Sequence, residues 1–302
     1  MSQAFISPED FAKQVAEKGL WTSGGHVKLN KYMSASESNG GSYTSQDLLA
    51  QIGDITGIAG SSAGRTPRSM CKNYVRVGMG QGEVQDHINV WSWMFDNLDL
   101  VRKFKIQTYL KDNPAAGQIK VKSGILDLGE VFKPHIPFPK AMETLLDKGC
   151  FGWDCIGFVS NYLIRIGHFT EYQTWKSHQY HSHGNFQPIK ALDMISPCCV
   201  LTFGEAHIVL VSQVDYVEID EAGKTLSAKV TISQSYTGGP HTRKDRMLTQ
   251  SSIGNGFWGE INQTGVIDIK SKCKVGKHPD IEIRYPPYVV AEPVPDFVPG
   301  VF

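Results

Sequence analysis

Apolar residues recur at three- and four-residue spacings through the first half of this 302-residue chain and give way to short apolar runs bounded by turn residues in the second. Val84, Ile88, Trp91 and Phe95 predict a helix over about 83–97 with that face in the core, and Phe158, Val159, Tyr162, Leu163 and Ile166 predict another that begins at Cys155. Ser7-Pro8-Glu9-Asp10 opens an earlier helix with a serine cap, proline in the first turn and two acids after it; Phe11, Ala12 and Val15 face inward and Gly19 ends it. Further helices are expected over Gln46–Ile52, over Leu98–Leu110 until Asn113-Pro114 breaks the pattern, and over Ala141–Lys148. Residues 21–43, rich in Gly, Ser and Asn, read as loop, and Gln118–Lys122 alternates like a short strand. Beyond them, the run up to Phe203, then Gly204–Ser212, then Ala228–Tyr236 predict strands, the third closing on the turn Thr237-Gly238-Gly239-Pro240.

The fold class expected is therefore α+β. Pro134, Pro137 and Pro139 divide a mostly helical N-terminal region, 1–135, from a second region, 136–302, where a helix precedes antiparallel strands and Tyr285–Phe302 forms an extended proline-rich tail.

Composition narrows the partners. A hydrophobic fraction of 41% with 20% charged residues is that of an ordinary globular chain. Thirty basic residues balance thirty acidic ones, so no global field favours nucleic acid or an anionic membrane. The N-terminus lacks a basic segment followed by an apolar run, and no apolar stretch reaches the ~18 residues of a spanning helix. The expectation is synthesis in a cytoplasm without a signal peptide, no membrane span, and export by a route that needs no cleaved leader. Six cysteines, Cys71, Cys150, Cys155, Cys198, Cys199 and Cys273, are too few and too irregular for a disulfide framework or a paired zinc motif. Gly57–Gly64 lacks the Gly-Lys-Ser/Thr ending of a phosphate loop, and His178, His181 and His183 lack an acidic or cysteine partner at a recognisable interval. No metal and no cofactor are expected.

Two cysteines stand at the head of a helix, where unpaired N–H groups and the positive end of the macrodipole favour thiolate. Cys71 is the rival. The histidine nearest after it, His87, lies inside another helical pattern, whereas Cys155 is followed by His207 at the start of a strand and by the polar strand that ends near Tyr236. A nucleophile, a base that titrates near neutrality and a neutral hydrogen-bonding group make a set that can attack an acyl carbon. Asp154, adjacent to the thiol on the same turn, is expected to cap the helix rather than serve as third member, and His168, His241 and His278 are read as ordinary polar residues.

Asp154-Cys155-Ile156-Gly157-Phe158-Val159, the proline turn before a strand, and Gly204-Glu205-Ala206-His207-Ile208-Val209 resemble the NlpC-like and CHAP cell-wall cysteine peptidases of the papain-like superfamily. Their motif runs Asp-Cys-Ser-Gly-Phe-Val, then Pro-Gly-Asp, then Gly-His-Val, then a polar residue in the next strand. The likeness covers residues 145–245, with Ile156 for serine, Cys198-Cys199 for Gly-Asp and Ala206 for glycine. It implies a papain-like core and the catalytic set Cys155, His207 and Gln234. Aligning Thr231-Ile232-Ser233 on the family strand puts Gln234 in the third position, while anchoring on Tyr236 puts Ser233 there; alternation lets only one face His207. The activity implied is thiol-dependent cleavage of an amide bond in peptidoglycan stem peptides, by a signal-less secreted antibacterial effector or a phage-type lysis enzyme. An immunity protein and a secretion apparatus are its implied partners, and a target cell envelope its destination. The alternative keeps the thiol chemistry in a deamidase, transglutaminase or acyltransferase acting on a host protein or lipid; a third class is a papain-like shell that only binds.

Overall fold

The computed structural model describes residues 6–32, 48, 74–78, 80–111, 121–173, 176–180, 186–188, 192–203, 207–223, 225–236, 238–250, 257–261 and 267–277. Apart from the buried Leu48, the expected helix over Gln46–Ile52 lies outside these residues, as do segment 57–64, Cys71, His181, His183, His278 and the proline-rich tail. Two compact units emerge among the described residues: one holds Lys13–Asn161 with Ser235–Pro240, and the other holds those up to Ala12, Tyr162–Gln234 and those from His241 to Lys277.

The chain enters through α1 (Pro8–Lys13), capped as its sequence predicts: Ser7 Oγ accepts from the Asp10 N–H at 3.0 Å and donates to the Asp10 carboxylate at 2.7 Å. A π turn, Gln14–Lys18, extends it to Gly19, whose φ of +84° ends the helical path. The segment read as loop instead begins with a hairpin, β1 (Leu20–Thr22) and β2 (Gly25–Val27), held by Leu20 and Val27 in the core and by Thr22 Oγ1 donating to the Gly25 carbonyl at 2.7 Å. After the short α2 (Tyr74–Val77), α3 (Val84–Asp96) starts from a reciprocal cap between Glu83 and Asp86. Val84, Ile88 and Trp91 are buried as expected, but so are His87, Val90, Trp93 and Met94, while Phe95 is 36% exposed and packs edge-on against Phe138.

The helix expected over Leu98–Leu110 is corrected. Only α4 (Leu98–Val101) is helical, and β3 (Lys105–Lys111) pairs antiparallel with β4 (Val121–Asp127) from Lys105 opposite Asp127 to Lys111 opposite Val121. Apolar spacing at Leu98, Val101 and Phe104 imitates a helix, yet the hydrogen bonds of the following residues are satisfied by a partner strand that local periodicity cannot see. Next come α5 (Leu128–Val131), capped by Asp127, and α6 (Phe138–Asp147), with Pro137 at its cap and Phe138, Ala141, Met142, Leu145 and Leu146 buried. Among the described residues, the region before Pro134 adds two hairpins to its helices. Helix α7 (Cys155–Arg165) follows, and Phe158, Val159, Tyr162, Leu163 and Ile166 are all buried as their spacing predicts.

The other unit is built on strands: β5 (Gln187–Pro188), β6 (Val200–Phe203), β7 (His207–Ile219), β8 (Thr225–Tyr236), β9 (Gly239–Gln250), β10 (Phe257–Ile261) and β11 (Ile267–Lys277). They lie in the order β10-β9-β8-β7-β6-β11-β5, and a further antiparallel pairing of β10 with β11 closes β6 to β11 into a ring. Side chains alternate across each strand, so Val209 and Val211 of β7 share one face, as do Ala228, Val230 and Ile232 of β8; together with Leu192, Ile195, Cys199, Leu201 and Leu248 they form one apolar core. Helices beside antiparallel sheets make the chain α+β, and among the described residues no helix is long and apolar enough to cross a membrane.

Candidate active site

Cys155 is the first residue of α7, is 5% exposed and is in no disulfide. Its surroundings in the Lys13–Asn161 unit are set by Asp154, which caps the helix as expected: Oδ1 accepts from the Gly157 N–H at 2.6 Å, and Oδ2 accepts from Gln81 Nε2 at 2.7 Å. Burial pushes the Asp154 carboxyl up to about 7, against the downward pull of the bonds from Gln81, Gly157 and Ile156. That matters to the neighbouring thiol. A carboxylate beside it opposes thiolate formation, and a carboxyl that is part-protonated near neutrality opposes it less.

The segment 80–84 lies along the first turns of α7. The Asp154 N–H donates to the Gly80 carbonyl at 2.9 Å, while Asn161 accepts from the Val84 N–H at 2.7 Å and donates to the Gly82 carbonyl at 2.7 Å. Contact is so close that a Cβ on Gly157 would collide with the Gly80 carbonyl oxygen, which explains a glycine inside a helix. Ahead of the thiol, Phe151 is held at φ +64°, a left-handed conformation that bulky residues rarely adopt. The Trp153 N–H donates to the Lys31 carbonyl at 3.1 Å, and the Trp153 carbonyl accepts from Ser235 Oγ at 2.7 Å. Ser235 is the residue after Gln234.

His207 and Gln234 belong to the other unit and meet there. His207 opens β7 on the same side as Val209 and Val211, and Gln234 continues the side of β8 that carries Ile232 and Val230. The pairing of Leu210 with Ser233 runs on to Val209 opposite Gln234, so His207 reaches Gln234 on the diagonal, with Nε2 2.8 Å from Oε1. An amide oxygen only accepts; His207 Nε2 therefore carries the hydrogen, and the lone pair of the neutral ring is on Nδ1. Burial lowers the His207 pKa, with His241 and Arg243 adding to the effect and the Gln234 bond opposing it, so the ring favours its neutral form. Ser233, the other candidate, faces away: its Oγ lies 2.6 Å from Ser212 Oγ and 3.0 Å from Thr242 Oγ1.

Two participants escaped the sequence reading. His241, read as an ordinary polar residue, has Nε2 3.1 Å from Gln234 Nε2. Counting back from the Thr237-Gly238 turn would have found it, since a hairpin that closes between Tyr236 and Gly239 puts His241 opposite Gln234. No local signal marks Gln81, whose contact with Asp154 spans 73 residues. In the turn Ser196-Pro197-Cys198-Cys199, Cys198 takes φ +68°, a left-handed conformation that side-chain-bearing residues rarely adopt, and its sulfur lies 3.0 Å from the Tyr162 hydroxyl. The chain matches no protein-family model, no curated protein and no solved structure.

Proposed function

We propose that the chain is a thiol-dependent hydrolase with a papain-like core, cleaving an amide bond in peptidoglycan stem peptides. Cys155 is the nucleophile, His207 its base and Gln234 the group that orients the imidazole. The observation that carries this reading is the 2.8 Å bond from His207 Nε2–H to Gln234 Oε1, because it selects the tautomer whose Nδ1 can take a thiol proton. Two further features support it: the position of Cys155 at the start of α7, and the Ser235–Trp153 bond, which joins the residue after Gln234 to the residue two before the thiol.

In the proposed reaction His207 Nδ1 accepts the Cys155 proton as Sγ attacks the amide carbonyl carbon. The Cys155 backbone N–H stabilises the oxyanion; collapse breaks the C–N bond, and the departing amine takes the proton from His207. Water, deprotonated by Nδ1, then attacks the thioester to release the acid and restore the thiol. Peptidoglycan as substrate, and action at a target cell envelope with a secretion-apparatus or immunity partner, rest on the resemblance of the Asp154–Val159 motif.

Purified protein incubated with muropeptides should release shortened stem peptides, and Cys155→Ala and His207→Ala should not. Intact muropeptides together with a thiol that still reacts fast with iodoacetamide would remove the substrate assignment and leave the chemistry. A search for deamidated glutamine or new crosslinks in target-cell proteins would then identify the acyl group.

A further inference from the structure

Gln234 has a partner on each side. Its amide oxygen faces His207 on β7, and its amide nitrogen faces His241 on β9, all three within one unit. An amide nitrogen only donates, so His241 Nε2 is the acceptor and carries no hydrogen; the neutral His241 ring then holds its proton on Nδ1. Turning the amide by half a revolution exchanges both roles. Oε1 would then need a hydrogen on His241 Nε2, and the amide N–H would need a lone pair on His207 Nε2, which moves the His207 hydrogen to Nδ1. The three side chains therefore have two self-consistent arrangements, and only one leaves His207 Nδ1 able to take a proton from a thiol.

We infer that His241 is a positioning residue: by accepting from the Gln234 amide nitrogen it fixes the amide's orientation and, through it, the tautomer of His207. The inference rests on the reading of His207 as the base, and it assigns to β9 a role that Cys155, His207 and Gln234 alone do not include. The geometry around it is consistent. Gln234 is 3% exposed, so water does not compete freely for its amide, and Thr242 Oγ1 bonds Ser233 one step along the same pair of strands, which holds His241 opposite Gln234.

Long-range 1H–15N correlation spectra of the full-length protein at neutral pH read the tautomer directly. Wild type should show His207 protonated at Nε2 and His241 at Nδ1; a His207 with its proton on Nδ1 overturns the inference without any variant. In His241→Phe the His207 signals should shift toward the Nδ1–H form or a mixture, and alkylation of Cys155 by iodoacetamide should slow about tenfold, the scale of one neutral hydrogen bond. His241→Gln, which keeps an acceptor at similar reach, should restore both. Gln234→Glu supplies only acceptors, so on that background His241→Phe should no longer move the His207 tautomer. Unchanged His207 signals in folded His241→Phe sink the inference, whatever the thiol does. Signals that shift as expected while His207→Ala leaves Cys155 alkylation untouched would instead keep His241 as tautomer-setter and remove the catalytic reading.

Discussion

Two of the buried polar groupings among the described residues, around Gln234 and around Asp154, are stabilised by opposite means. Around Gln234, neutral side chains fix one another by direction: each donor meets an acceptor, and swapping one atom type reverses the set. Around Asp154, ionisable groups are held away from water. Burial pushes Asp154 up to about 7, and burial also pulls His87 down to about 4, against the opposing effects of the Glu83 carbonyl and the Asp86 charge. Trp153 connects this pair, preceding Asp154 in the chain and meeting the His87 ring edge-on at 5.8 Å. Directional bonding between neutral groups sets which atom carries a proton; desolvation sets at what pH it leaves.

The strongest way to break the comparison is on the directional side. If His207 is the base, His207→Ala should slow Cys155 alkylation at neutral pH by about 100-fold or more, the usual contribution of a positioned base, measured under pseudo-first-order iodoacetamide.

On the desolvated side the signs oppose. His87 is neutral when folded, so its contribution is present above its ordinary value of 6.5 and is lost as pH falls toward about 4. Asp154 is protonated when folded, so its contribution is present below 3.8 and is lost as pH rises through about 7. Each is worth roughly 3 to 4 kcal/mol, and the two largely cancel between pH 4 and 6.5. Urea melts at several pH values should show His87→Phe losing stability as pH rises through that window and Asp154→Asn gaining it.

Smaller effects sharpen the contrast. Gly157→Ala drives a methyl into the Gly80 carbonyl and should cost about 2 kcal/mol in the same melts, while leaving the His207 tautomer unchanged. Ser235→Ala removes one buried bond to the Trp153 carbonyl and should cost about 1 kcal/mol.

What could be read in the sequence follows from how far each feature reaches along the chain. The α7 face from Phe158 to Ile166 and the Ser7 cap are local and were legible. So was the Asp154 cap, because an acid before a helix has few other partners, whereas alternation along β8 says only that one of Ser233 and Gln234 faces His207. Distant pairings were not. Lys105–Lys111 continues a helical spacing and becomes a strand only because Val121–Asp127 lies beside it. Strand β9 escaped because His241-Thr242-Arg243-Lys244 carries no apolar alternation and is a strand by virtue of its neighbours. Gln81 belongs with them, since its partner is fixed by the fold alone.

The hairpin between Tyr236 and Gly239 has a consequence for how this site tolerates change. The connection is two residues long, and a Cβ on Gly239 would strike the backbone of Asn30 and Lys31. Strands slide only in whole residues, and a one-residue insertion turns every following side chain to the opposite face. The imidazole of His241 would then leave Gln234 altogether. Length drift in this loop acts as an all-or-none event for the site, whereas substitutions elsewhere on β9 leave the count intact.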